Sequence, residues 1–129
     1  MLKYCYDLDG VICEDPMYQP DTLEYLLFLT TAKLLRKTNN AKADIVTGRT
    51  EEFRRETELW LKCNGVAYDN LIMKSDSLKG VEHTPKFKAD YYKNNDSHMF
   101  LESCKNQAVK IAELSGKPVY CVETKKIYI

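Results

Sequence analysis

The sequence carries no excess of charge, no long apolar run and no cysteine pair at metal-binding spacing, and each absence removes a class of function. Lys plus Arg and Asp plus Glu both number 19, so no chain-wide field draws the protein onto a polyanion, and non-specific nucleic-acid binding is disfavoured. The longest apolar stretch, around Leu26 to Leu29, falls far short of the roughly 20 residues of a bilayer-spanning helix, so no membrane association is expected. A charged residue arrives at Asp7 without a signal-peptide pattern, and a cytoplasmic address is the expectation. The five cysteines, Cys5, Cys13, Cys63, Cys104 and Cys121, form no CxxC pair and are odd in number. They point to reduced, mostly buried thiols and not to zinc or a disulfide framework. His83 and His98 lack partners at metal-ligand spacing and read as exposed loop residues.

What is present fits one domain spanning residues 1–129, a length with room for a single core. Apolar residues at 44% and charged residues at 29% are ordinary for a folded chain. Strand-like and helical patterns alternate from end to end, with no linker or repeat between them. That alternation predicts an α/β fold: a doubly wound, Rossmann-like, mainly parallel sheet of about five strands, with helices on both faces.

The strands are read at Leu2–Leu8, Lys42–Thr47, Leu71–Met73, Met99–Leu101 and Val119–Val122, with Ile127–Ile129 adding a sixth at the edge. The first helix starts near Asp21 as N-cap and carries Leu23, Leu26 and Leu27. Thr30 and Thr31 leave Ala32 to Thr38 equally readable as helix or as extended connection. A second helix, capped by Thr50, runs to about Cys63 with Phe53, Thr57, Trp60 and Leu61 on one face and Gly65 at its end. Trp60 belongs to the core in this reading. The polar stretch Lys74 to Thr84 reads as a mobile loop, followed by a helix with Pro85 in its first turn. Ser103 is placed as the cap of the last helix, which Gly116 and Pro118 terminate.

Chemistry is expected at the carboxyl ends of the strands, where open α/β sheets bind ligands. Asp7 and Asp9 lie two apart at the end of the first strand, so their side chains begin on one face. Thr47 and Glu102 end two other strands, and Lys88 is within a helix's reach of them. An EF-hand is excluded because Gly10 directly follows the second aspartate and a strand, not a helix, precedes the first. Arg49 reads equally as an anion binder and as an ion-pair partner of Glu51, Glu52 or a loop acid.

Taken together, Asp7-Leu8-Asp9-Gly10-Val11-Ile12, Val46-Thr47-Gly48-Arg49, Lys88-Ala89 and Phe100-Leu101-Glu102-Ser103 resemble the haloacid dehalogenase-like hydrolase superfamily, in order and across nearly the whole chain. The resemblance implies a Mg²⁺-dependent phosphatase in which Asp7 is the nucleophile forming an aspartyl-phosphate and Asp9 is the general acid/base. It implies that Thr47 and Lys88 complete the catalytic set and that Gly10, Thr47, Gly48, Arg49 and Lys88 hold the substrate. Lys86 contends with Lys88 for the lysine role. For Mg²⁺ the implied ligands are the Asp7 carboxylate, the Asp9 backbone carbonyl and Glu102. Many superfamily members have aspartate where this chain has Ser103, which lowers the negative charge offered to a metal.

Residues 13–45 and 50–87 are intervals too short for a sizeable cap domain, so a small capless phosphatase type is expected. The implied substrate is a phosphate monoester, either a phosphorylated small molecule or a nucleotide. Two alternatives stand beside it: end processing like that of polynucleotide 3′-phosphatases, with local contacts from Lys33, Arg36, Lys37, Lys74 or Lys79, and a catalytically degenerate domain that binds a phospholigand or partner. A homo-oligomer would cover the exposed strand edges of so small a domain, although no motif specifies one.

Overall fold

The sheet grows outward from a short first strand, β1 (Tyr4–Tyr6), in a computed structural model that describes residues 2–129. Strands β2 (Asp44–Thr50), β3 (Asn70–Lys74), β4 (Met99–Glu102), β5 (Val119–Cys121) and β6 (Lys126–Tyr128) complete the order β3-β2-β1-β4-β5-β6. Pairing is parallel throughout except at β6, which returns antiparallel to β5 and forms one edge. The helices are α1 (Leu23–Thr31), α2 (Arg54–Cys63), α3 (Thr84–Lys93) and α4 (Lys105–Ser115). The expected α/β class and mainly parallel sheet are therefore present, with six strands. No helix among the described residues is long and apolar enough to cross a membrane.

Alternation along the strands divides the core in two. Tyr6, Ile45 and Leu71 face α1 and α2, where they meet Tyr25, Phe28, Leu29, Trp60 and Leu61. Cys5, Val46, Phe100 and Val119 face α3 and α4, against Ala89, Tyr92, Ala108 and Ile111. A parallel sheet covered on both faces needs such near-continuous apolar strands. Trp60 is buried, and its indole Nε1–H donates to Ala32 O at 2.9 Å, which places it in the core as expected.

Several boundaries differ from the sequence reading, each for a local reason. The α1 cap is Thr22, not Asp21, because the Thr22 hydroxyl accepts from Tyr25 N at 3.2 Å. Residues 32–38 are extended: Leu34 bridges Cys13 and Leu35 N donates to Ile12 O at 2.7 Å, tying this connection to the turn after β1. Strand β2 runs past Gly48 to Thr50 because β3 keeps pairing with it across a bulge between Thr47 and Thr50. Thr50 makes no side-chain cap; a 3₁₀ turn, Glu51–Phe53, leads into α2 instead.

The polar loop between β3 and α3 contains two 3₁₀ turns, Asp76–Leu78 and Val81–His83. They are pinned by Lys74, which lies in β3, is buried, and donates to Gly80 O at 2.9 Å and Thr84 Oγ1 at 3.1 Å. Lys74 is thus unavailable to a nucleic acid. Finally, the α4 cap is Cys104, whose sulfur accepts from Gln107 N. Ser103 is released from the capping role for one described below.

Candidate active site

The strand order reverses between β1 and β4, and this is where open α/β sheets form their ligand crevice. After β1 the chain stays in register for one more residue, with Asp7 N donating to Leu101 O at 2.9 Å. It then coils tightly: Leu8 O accepts from the amides of Val11, Ile12 and Cys13. Gly10 makes that coil sterically feasible, since its φ is +83° and a Cβ there would sit 2.7 Å from Ser103 Cβ and 2.8 Å from Asp15 Oδ1. Gly48 is required for a similar reason on the neighbouring strand, where a Cβ would meet Thr84 Cγ2 at 2.8 Å.

Two carboxylates meet at this switch point with one ammonium between them. Lys88, projecting from α3, places Nζ 2.7 Å from Glu102 Oε1 and 3.1 Å from Asp7 Oδ1. It also donates to Gln107 Oε1 of α4 at 3.2 Å. All three charged groups are at least nine-tenths buried. Lys86, by contrast, is exposed and pairs with Asp90 one turn on, so the geometry puts Lys88 at the site.

The remaining oxygens are engaged unequally. Asp7 Oδ1 accepts from Leu8 N at 2.8 Å, whereas Oδ2 has a long contact of 3.4 Å with the Ser103 hydroxyl. Glu102 Oε2 accepts from Ser103 N, from Ser103 Oγ and, at 3.4 Å, from Cys104 N. Ser103 therefore bridges the two carboxylates.

Burial, and then the neighbouring Glu102 charge, push the Asp7 carboxyl well above the usual carboxylate range, against the pull of Lys88. Burial also opposes ionisation of Glu102, but Lys88 and the Ser103 amide hold its carboxyl below the ordinary value. Lys88 is buried too, yet the two carboxylates raise its affinity for a proton. The cluster is thus one ammonium facing an ionised Glu102 and an Asp7 that retains its proton more readily than a free aspartate.

Asp9 is elsewhere engaged. Arg49 clamps it in fork geometry, Nε to Oδ2 at 3.1 Å and Nη2 to Oδ1 at 2.7 Å. The same guanidinium donates to Thr57 Oγ1 at 3.0 Å and lies 5.8 Å from the Phe28 ring centre. The partner of Arg49 is therefore Asp9, an acid of the loop after β1 as one of the alternatives allowed, and not Glu51 or Glu52; Glu51 pairs with Arg54. Arg49→Met is expected to destabilise the fold by about 2–3 kcal/mol in denaturant titration, less than for a fully buried pair because Asp9 is partly exposed. Arg49→Lys should recover only part of that loss, since an ammonium lacks the fork.

Thr47 is fully buried in β2, and its hydroxyl accepts from Arg49 N at 3.1 Å. It sits on the strand beside β1, with its hydroxyl hydrogen left to donate. His98 lies by Lys3, near the start of β1, and His83 is exposed beside Glu82, so neither joins the site. Burial pushes the Cys13 thiol up, with Asp9 adding to the effect, which disfavours a thiolate nucleophile.

No protein-family model, curated protein or solved structure matches this chain. The site therefore rests on its own geometry.

Sequence reasoning missed three participants. Gln107 holds Lys88 from the first turn of α4, Thr57 supports Arg49 from α2, and Asp15 stands over Gly10. An acid five residues after Gly10 and a glutamine four residues after Ser103 were the available signals, and neither spacing is diagnostic by itself.

Two buried carboxylates face a single ammonium, and of their four oxygens only Asp7 Oδ2 lacks a short protein donor, which leaves one oxygen of the kind a hard dication takes. Asp9 is not an additional carboxylate for such an ion in this arrangement, because both its oxygens face Arg49. Among the described residues no group of three or more His, Cys, Asp and Glu side chains is assembled for metal binding. The expected set of Asp7, Asp9 and Glu102 therefore reduces, in side-chain terms, to Asp7 with Glu102 behind it.

Proposed function

We propose that the chain is a capless phosphohydrolase of the haloacid dehalogenase-like type, cleaving a phosphate monoester through a phospho-Asp7 intermediate. The observation that carries this reading is the buried Asp7 carboxylate at the sheet's switch point, with Lys88 at 3.1 Å from Oδ1 and the Ser103 hydroxyl 3.4 Å from Oδ2. The segments around the site support the capless form, since residues 75–83 contain only 3₁₀ turns.

In this mechanism Asp7 Oδ2 attacks phosphorus and the bond to the leaving oxygen breaks. Asp9, turned from Arg49 toward that oxygen, donates the proton that completes the alcohol. Asp9 then takes a proton from water, whose oxygen attacks the acyl phosphate, releasing inorganic phosphate and restoring Asp7. Lys88 offsets charge on Asp7 and the phosphoryl oxygens, and Glu102 keeps Lys88 charged and fixed. Thr47, with the backbone N–H groups that follow β2, holds the phosphoryl oxygens. Mg²⁺ would be held by the Asp7 carboxylate and the Asp9 backbone carbonyl, with Glu102 as the charge behind, and would supply Lewis-acid stabilisation of the phosphoryl group.

The decisive experiment combines Mg²⁺-dependent phosphate release from a monoester panel with trapping of a beryllofluoride adduct on Asp7, read by fluorine resonance. Release that stops on chelation, together with an Asp7 adduct, is the expected result. A second reading, a phospholigand-binding domain without turnover, draws on the complete engagement of Glu102 by Lys88, Ser103 and Cys104. Phosphate binding with neither release nor adduct would select it.

A further inference from the structure

A cavity of about 250 Å³ opens between the segment after β1 and α1. Its apolar wall is Tyr18, Leu27 and Phe28, and its rim carries Glu14, Asp15 and Glu24 with no basic side chain. We infer that this cavity receives the leaving group of the phosphate ester, and that it selects a ring-bearing alcohol without further anionic charge, a nucleoside in preference to one bearing a second phosphate. The inference rests on the phosphohydrolase reading of Asp7.

Two independent contacts join the cavity to the reacting groups. Asp15 lines it and stands over Gly10, whose absent Cβ would touch both the Asp15 carboxylate and Ser103, the residue that reaches Asp7. Phe28 lines it and carries the Arg49 guanidinium over its ring, and Arg49 holds Asp9. The group assigned to protonate the leaving oxygen is therefore one side chain removed from the cavity wall. A leaving group must reach its general acid, and the nearest link from the cavity is Asp15, whose carboxylate borders Gly10, the residue after Asp9.

Size and charge then define the occupant. A volume below the ~300–1,000 Å³ of pockets that enclose drug-sized ligands suits one ring system. Tyr18, about half exposed at the mouth, offers a face on which a ring can stack. Three carboxylates on the rim repel any phosphate beyond the one being cleaved. On this inference a polynucleotide end, which brings a further phosphate, is disfavoured by the same three carboxylates.

The test measures kcat/KM with Mg²⁺ for adenosine 5′-monophosphate, adenosine 3′,5′-bisphosphate and acetyl phosphate. The monophosphate should exceed the bisphosphate by about tenfold or more, and Glu24→Lys should shrink that ratio by about tenfold. Equal values for the two nucleotides, or a ratio that Glu24→Lys leaves unmoved, would overturn the inference. Acetyl phosphate has a leaving group too small to fill the cavity and so reads the Asp7 chemistry alone; if it is not turned over, the phosphohydrolase reading fails separately. Adenosine titration followed by nuclear magnetic resonance then decides the cavity. Shifts centred on Tyr18, Leu27 and Phe28 that disappear in Leu27→Asp uphold it as a ring site, and absence of shifts at those residues rejects it.

Discussion

Asp7→Asn is expected to lower phosphate release by at least about 10³-fold and, in the same protein, to raise stability at pH 7 by about 1–2 kcal/mol. The first effect follows, on the proposed mechanism, from replacing the attacking carboxylate oxygen by an amide. The second follows from burial: Asp7 holds its proton well above the ordinary carboxylate value of 3.8 because it is desolvated and faces Glu102. A group whose folded pKa is raised stabilises the fold most fully below its unfolded pKa, and that contribution is lost as pH climbs through the folded value. An uncharged asparagine escapes the loss while keeping an oxygen for Leu8 N. Thermal melts should show the variant about 3–6 °C above the parent at pH 7 and level with it near pH 3.5. A variant that melts lower than the parent at pH 7 would mean that the carboxylate is stabilised, not strained, by its surroundings.

Lys88→Met should have the opposite sign and a larger size, a loss of about 3–5 kcal/mol at pH 7.5, because it leaves Asp7 and Glu102 buried without a counter-charge. The deficit has a direction in pH. In the parent, Glu102 has a depressed pKa, so its contribution is present above its unfolded value and is lost as pH falls through the folded one. Without Lys88 both carboxylates hold protons more tightly, and the variant regains ground as pH falls from 8 to 5. Denaturant titrations at the two pH values measure this, and an equal deficit at both would remove the charge explanation. Adding Glu102→Gln should restore much of the loss, whereas Lys86→Met should stay within about 0.5 kcal/mol of the parent, as an exposed substitution.

Stability and the proposed chemistry pull against each other at Asp7 and cooperate at Lys88. On the proposed mechanism, poor solvation of Asp7 would leave its carboxylate reactive toward an incoming phosphoryl group. Lys88 and Glu102 form the scaffold that makes such burial tolerable. Ser103, standing where an acid is common in the resembled superfamily, bridges Asp7 and Glu102 without adding a third negative charge to a cluster with one cation.

Much of this was readable before any fold was known, because the relevant signals are local. Alternation in Tyr4 to Asp7, Gly10 and Gly48 after strand residues, and Pro85 and Gly116 at opposite helix ends are each set by short-range sterics and hydrogen bonding. Such signals gave the α/β class, the helix and strand identities and the gathering of Asp7 and Glu102 at strand ends. They were weaker at boundaries, where Thr22 and Cys104 capped in place of Asp21 and Ser103, since neighbouring polar residues compete on nearly equal terms for the same amides.

What only the tertiary structure decided is which charge answers which. Arg49 turned to Asp9, 40 positions earlier in the chain, and not to Glu51 or Glu52. Lys88 was chosen over Lys86, and Lys74 was withdrawn into the interior. The sequence by itself determined the alternating elements and the residue types offered to the crevice, because backbone geometry depends on near neighbours. The pairing of those residues depended on distances across the packed helices and strands, where burial makes Coulomb attraction and hydrogen bonding strong enough to select one partner among several.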